Sequence, residues 1–175
     1  MIIVSPHFSI TYHSNEQREK IEKLIKNILD AKPNIQFNTS GSTGNPKTIQ
    51  HSKSAIHASA MKTIKYFELC ENDKAVLCLP VDHIAGAMMI VRSMIAGLDL
   101  NVYPTSTTCI ESIEGSFNFI AIVPIQLEYA MKSDLGISRI KQFQHILIGG
   151  APLSQALNKQ LIDHQVSVMQ SFGMT

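Results

Sequence analysis

Between Glu16 and Leu29 apolar residues return every three or four positions, at Ile21, Leu24, Ile25, Ile28 and Leu29, with lysine and glutamate between them. That spacing predicts an amphipathic helix, with Ser14 or Asn15 placed to cap it. Further on the period changes. Short apolar runs of strand length occur at Ile35–Asn38, Ala75–Val81, Asn101–Tyr103, Phe119–Val123, His145–Ile148 and Val166–Gln170. Helix-like stretches lie between most of them, at Ser54–Leu69, Ile84–Ala96, Ile125–Lys132 and Ser154–His164. The run AVLCLPV is continuously apolar rather than alternating, the habit of a strand covered on both faces. Strands and helices in alternation predict an α/β fold, a layered αβα arrangement around a mainly parallel sheet. Sites in that class gather beyond the carboxyl ends of the strands. Five segments are expected there, on one side of one sheet: Thr39–Lys47 and the stretches PVDHIAG, VPIQ, GGAPL and SFGMT.

Composition narrows the function classes. The chain has 175 residues, 45% of them apolar, and a net charge of +1. It is long enough for a substantial core and has no linker or low-complexity tract. The charge is too small for a nucleic-acid surface, and nucleic acid is not expected as a partner. The first residues do not read as a signal peptide, and the longest apolar run, Ile84–Leu98, contains Arg92, so no membrane insertion is expected. Cys70, Cys78 and Cys109 lack metal-ligand spacing and read as reduced, mostly buried thiols of a cytoplasmic protein. Assembly of further copies stays open.

The stretch FNTSGSTGNPKT carries the candidate chemistry. Against the Walker pattern G-x-x-x-x-G-K-[ST] it fits at Gly41, Lys47 and Thr48 but has Pro46 where glycine is needed. Proline has no N–H to give a phosphate and holds Asn45 extended. Thr39, Ser40, Ser42 and Thr43 instead supply hydroxyls, which both donate and accept, and Lys47 supplies a point charge. An exposed Gly/Ser/Thr turn is the plain alternative.

TSGSTGNPK resembles the phosphate loop [ST]-[ST]-G-[ST]-T-G-x-P-K of the acyl-adenylate-forming (AMP-binding) superfamily, to which that proline belongs. IGGAPL is similar to its adenine-side loop, and SFGMT to its aromatic-Gly-x-Thr-Glu segment. LPVDHIAGAMMIVRSMIAGLDL, VPIQLEYAM and LIGGAPLSQAL resemble the o-succinylbenzoate–CoA ligase branch of menaquinone biosynthesis. The resemblance covers roughly residues 36–175 and implies that residues 1–175 are part of an N-terminal AMP-binding domain, without the small C-terminal lid domain. It further implies an ATP-dependent acid–CoA ligase: a carboxylate attacks the α-phosphate of ATP, and coenzyme A then displaces AMP from the acyl adenylate. ATP, Mg2+ and coenzyme A are the implied cofactor and co-substrates, and a small carboxylic acid is the substrate. No metal-ligating set of protein residues and no catalytic acid or base is assigned. His51 and His57 read more simply as helix-start and surface histidines.

By the same resemblance Thr39, Ser40, Gly41, Ser42, Thr43, Gly44 and Lys47 would hold the β- and γ-phosphates. Gly149, Gly150, Ala151, Pro152, Phe172, Gly173 and Thr175 would surround adenine and the α-phosphate, with a strand-ending turn as the plain alternative at Gly149–Pro152. His83, Arg92, Pro124 and Gln126 would line the acyl pocket. Arg92 lies in an otherwise apolar helix. It either snorkels, pairs with a carboxylate such as Asp99 or Glu128, or recognises a second carboxylate of the substrate. His83 precedes it by nine positions, on the opposite face of a continuous helix, so the two can share a pocket only if His83 lies in the loop before the helix. Two readings from other classes stand beside the ligase: a lobe that binds nucleotide or acyl ligand without turnover, and a phosphate-loop NTPase.

Overall fold

The computed structural model describes residues 2–38 and 48–171. The elements follow in the order β1 (Ser9–Tyr12), α1 (Arg18–Leu29), β2 (Asn34–Asn38), β3 (Thr48–Ser52), α2 (Lys53–Tyr66), β4 (Lys74–Leu77), α3 (Ile84–Ala96) and β5 (Asp99–Val102). A 3-10 turn (Cys109–Ser112), β6 (Phe117–Ile122), α4 (Pro124–Ala130), α5 (Asp134–Ile140), β7 (Phe143–Ile148), α6 (Gln155–Asp163) and β8 (Met169–Gln170) complete them. Six strands form one sheet in the order β1-β5-β4-β6-β7-β8, with every neighbouring pair parallel. The expected α/β architecture is the observed one.

The alternation of side chains along the buried strands explains the two covered faces. Ala75, Leu77, Leu100, Val102, Phe119 and Ala121 point to one side, against α1, α2 and α3. Val76, Cys78, Ile120, Ile122, Ile146 and Ile148 point to the other, against the 3-10 turn, α4, α5 and α6. Helix α3 is buried almost all round, from Gly86 through Met94, which is why its sequence shows so little polar periodicity. No helix among the described residues is long and apolar enough to cross a membrane.

The strand order creates a switch point. From β4 the chain passes through α3 to β5 on one side, then returns past β4 to β6 on the other. Adjacent strands β4 and β6 therefore send their following helices, α3 and α4, to opposite faces of the sheet. The crevice between their carboxyl ends is where this fold class places ligands.

Three local expectations are corrected. Helix α1 begins at Arg18, with Gln17 as its first flanking residue and no side-chain cap, because the Ser14 hydroxyl accepts from the Glu16 N–H instead. The strand at Ile35 does not join the main sheet. It pairs antiparallel with β3, Asn38 opposite Thr48, and buries Ile35 and Phe37 against the α1–α3 side. The segment after residue 47 is accordingly a strand rather than the start of a helix; α2 begins at Lys53, one residue from the expected Ser54, capped by the Ser52 hydroxyl on the Ala55 N–H. Four of the five expected segments thus follow main-sheet strands, and Thr39–Lys47 follows a strand of the separate pair. Cys78 and Cys109 are buried and Cys70 is exposed, which agrees with the expectation of mostly buried thiols.

Candidate functional site at the strand ends

After β4 the chain runs through Cys78–Val81 to His83, tied down by two neighbours. The buried side chain of Gln17 donates from Nε2 to the Leu79 carbonyl at 3.1 Å and accepts the Val81 N–H on Oε1 at 2.8 Å. Gly86, in the first turn of α3, lies so close to this segment that a Cβ there would stand 2.3 Å from the Pro80 carbonyl oxygen. His83 is the residue before α3, extended at φ −103° and ψ 151°, with its carbonyl accepting the Ala87 N–H. The condition that allows His83 and Arg92 to serve one pocket, a histidine ahead of the helix, is met.

Arg92 is only 8% exposed, so it does not snorkel. Its Nε has no hydrogen-bond partner among the described residues, and its Nη1 donates only to the Met89 sulfur, at 3.8 Å. No carboxylate of the described residues pairs with it; Asp99 instead accepts from the Ser9 hydroxyl at 3.0 Å. Burial alone pulls the guanidinium down to about 10, so it remains charged at neutral pH. A buried, unpaired cation costs stability.

After β6, Val123 leads into α4 with Pro124 at its first position, where the missing N–H is no loss. Gln126 reaches back one turn to accept the Val123 N–H at 3.2 Å. Its Nε2 donates to the carbonyls of Cys78 at 3.0 Å and Ser106 at 3.1 Å. Both donors of this buried amide therefore serve the backbone, joining the ends of β4 and β6 to the loop after β5. Sequence reading placed Gln126 in the pocket wall but carried no sign of this clamp. Gln17 was missed altogether, since a glutamine beside an amphipathic helix looks like surface.

After β7, the Gly149 N–H donates to the Ile122 carbonyl at 3.1 Å. Gly150 has φ +92°, a region side chains avoid, and a Cβ there would lie 3.3 Å from the Val123 side chain. A Cβ on Gly149 would lie 3.1 Å from the Ser171 hydroxyl. The ends of β6, β7 and β8 thus converge on backbone that only small residues allow. Gly150, Ala151 and Pro152 are exposed there, with the Ala151 carbonyl accepting from Gln170 at 3.4 Å. Thr39, Ser40, Gly41, Ser42, Thr43, Gly44, Lys47, Phe172, Gly173 and Thr175 lie outside the described residues. Among the described residues no cluster of three or more His, Cys, Asp or Glu side chains could hold a metal ion.

The sequence profile of the family described as AMP-binding enzyme matches residues 12–175. The chain belongs to that family. Membership retires the phosphate-loop NTPase reading. Among curated AMP-binding relatives, a 2-succinylbenzoate–CoA ligase of Listeria innocua is 30% identical over 172 residues, 95% of this chain and 36% of its own length. A long-chain-fatty-acid–CoA ligase of Mycobacterium tuberculosis is 26% identical over 150 residues, 78% of this chain and 28% of its own. Among solved structures, an acyl-CoA synthetase (AMP-forming)/AMP-acid ligase II-like protein of Dyadobacter fermentans superposes with a TM-score of 0.84 at 32% identity, covering 91% of this chain and 46% of that one. The chain spans about a third of the length of the curated relatives it matches.

Proposed function

We propose that the chain forms the nucleotide- and acyl-binding core of an ATP-dependent acid–CoA ligase whose acid is o-succinylbenzoate. The observation that carries the reading is Arg92: a charged guanidinium, nine-tenths buried in the apolar helix that follows β4, without a carboxylate partner among the described residues. A dicarboxylic acid would supply that partner with the carboxylate not being activated. His83 and Pro124 stand at the flanking strand ends, and Gln126 holds those ends together.

Thr39, Ser40, Gly41, Ser42, Thr43, Gly44 and Lys47 take the β- and γ-phosphates of ATP in this reading. Gly149, Gly150, Ala151, Pro152, Phe172, Gly173 and Thr175 take the adenine and the α-phosphate. Adenylation needs placement of the carboxylate in line with the α-phosphate and charge stabilisation, rather than an acid–base pair. Mg2+ belongs with the ATP phosphates, and the described residues give it no place of its own. Coenzyme A is the second-step thiol. Because closure of a lid ordinarily completes such sites and excludes water, residues 1–175 alone bind ligands without forming thioester.

The test is ligand binding by the chain and by Arg92→Ala, with o-succinylbenzoate, benzoate and octanoate compared by calorimetry. Leaving a desolvated charge without its partner costs on the order of 2–5 kcal/mol, so the dicarboxylate should lose about 30-fold or more in affinity in the variant. Octanoate binding best, or an unchanged preference in Arg92→Ala, would sink the assignment. A ligase for an acid with no spare carboxylate is the second reading, favoured by the apolar wall of α3 and the fatty-acid ligase relative.

A further inference from the structure

The start of α1 grips the loops at the strand ends, although every candidate site residue lies later in the chain. Gln17 is 5% exposed, and its carbonyl accepts the N–H of the core residue Ile21 at 2.9 Å, so its side chain springs from a fixed point. That side chain donates to the Leu79 carbonyl and accepts the Val81 N–H, supplying bonds that a neighbouring strand supplies inside a sheet. Lys20 then pairs with the carboxylate of Asp82, the residue before His83. Glu16 reaches the next loop, where its carboxylate accepts the Thr105 N–H at 3.2 Å and the Thr105 hydroxyl. Gln126 holds the same two loops from the other face of the sheet, at Cys78 and Ser106. Each loop is therefore held at adjacent residues from two sides, Cys78 and Leu79 after β4, Thr105 and Ser106 after β5.

We propose that Gln17 is a positioning residue for the acyl side of the crevice: it fixes where His83 stands and thereby how tightly the acid is held. The proposal rests on the reading of His83 as part of the acyl wall. The segment from Leu79 to His83 has little else to hold it. Pro80 has no N–H to give, and its carbonyl accepts only within the segment, from the His83 N–H at 3.3 Å. Leu79 and Val81 are 5% and 3% exposed, so backbone groups that lose Gln17 cannot reach water unless the segment moves. Gly86 closes one direction, because α3 already lies against the Pro80 carbonyl. Relaxation takes the segment away from α3 and carries His83 with it.

The chemistry of residue 17 is specific. The segment asks for one donor and one acceptor at the tip of the same side chain, which an amide provides. Methionine has the same reach and provides neither. Glutamate keeps the acceptor for the Val81 N–H but, when ionised, sets a carboxylate oxygen against the Leu79 carbonyl. The Lys20–Asp82 pair is exposed on both sides and adds little alone, so the buried amide is the member that decides the position.

The experiment separates acid binding from folding in the whole 175-residue chain. Calorimetry follows o-succinylbenzoate, benzoate and octanoate with wild type and Gln17→Met, at a temperature where circular dichroism shows both fully folded. The imidazole NMR signals of His83, assigned with His83→Gln, report its surroundings without ligand. The acid that wild type binds best should lose about 10-fold or more in affinity, as small misplacements of a supporting group can cost a site that much. The His83 signals should move, while those of His145 on β7 and His164 after α6 stay. Gln17→Glu should change both in the same direction, and serves if the methionine variant does not fold. In the unsubstituted chain the Val81 amide should exchange slowly with deuterium. Unchanged acid affinity in a folded variant, unmoved His83 signals, or fast exchange at Val81 would each overturn the proposal. The preferred acid reports separately on the ligase reading. A wild type that prefers octanoate overturns o-succinylbenzoate as the substrate, and a loss of octanoate affinity in Gln17→Met then still supports the positioning role. A wild type that binds none of the acids overturns both.

Discussion

Replacing Arg92 with methionine should make the chain more stable while removing its preference for a dicarboxylic acid. Burial alone pulls the guanidinium down from its ordinary value to about 10. At about 1.4 kcal/mol per pKa unit, that displacement corresponds to ~3 kcal/mol by which the folded state disfavours the charged form. Methionine keeps an unbranched apolar stem in the same space and removes the charge. It also forfeits the Nη1 contact to Met89. The net expectation is a gain of about 1–3 kcal/mol, or a rise in Tm of roughly 2–10 °C for a chain of this size. The pH dependence follows from the direction of the shift. A cation whose folded pKa is depressed costs stability wherever it is charged in both states, and that cost fades only as pH rises from the folded value toward the unfolded one. The difference between wild type and Arg92→Met should therefore be flat from about pH 6 to about pH 9 and shrink only above pH 10. Urea melts followed by fluorescence or circular dichroism would measure it, with an unchanged m-value confirming that the transition is the same. The same melts with o-succinylbenzoate present should show a ligand-induced rise for wild type and not for the variant. If Arg92→Met is less stable than wild type by 1 kcal/mol or more, Arg92 has a partner that stabilises the fold, and the case for a waiting cation fails.

Two further outcomes test the frame around the site. Gly86→Ala would put a methyl 2.3 Å from the Pro80 carbonyl oxygen, a backbone atom that cannot turn away, so α3 must shift from the Cys78–Val81 segment. Stability should fall by ~3 kcal/mol or more, measured by urea melts, and a neutral substitution would show that this packing is wrong. Lys53 is buried and bonds both the carbonyl and the carboxylate of Asp30, each at 2.6 Å, tying the β3–α2 corner to the end of α1. That hydrogen bond holds the Asp30 carboxyl below its ordinary 3.8, so its contribution is complete above that pH and disappears as pH falls through the lower folded value. Lys53→Met should flatten the acid limb of a stability–pH profile, and an unchanged limb would remove the pair from the account.

How far the sequence reaches can be judged element by element. The strand at β4 and the helix at α3 were legible because continuous apolar runs have only one home in an α/β fold, buried on both sides. Helix α1 was legible from its period. The family was legible because it rests on ordered short strings, which no packing can disguise. Three elements were not legible. The strand Ser9–Tyr12 is an edge strand whose four residues are all exposed or half-buried, so burial leaves no pattern in it. The strand Thr48–Ser52 is polar and stable only because it pairs with Asn34–Asn38. Helix α5 contains Gly136, which sequence counts as a helix breaker. Only the structure shows why it is there, since a Cβ would stand 2.2 Å from the Ala130 carbonyl oxygen.

The chemistry divides along the same line. Local order in the chain determined the family, because a motif is made of neighbours. Tertiary structure alone decided that Arg92 faces no carboxylate among the described residues, that Gln126 spends its amide on three backbone groups, and that Gln17 ties down the segment after β4. Each of these is a relation between residues on different elements. The strand order β5-β4-β6 sets it, and no spacing in a linear sequence records which partners a folded sheet will bring to a buried side chain.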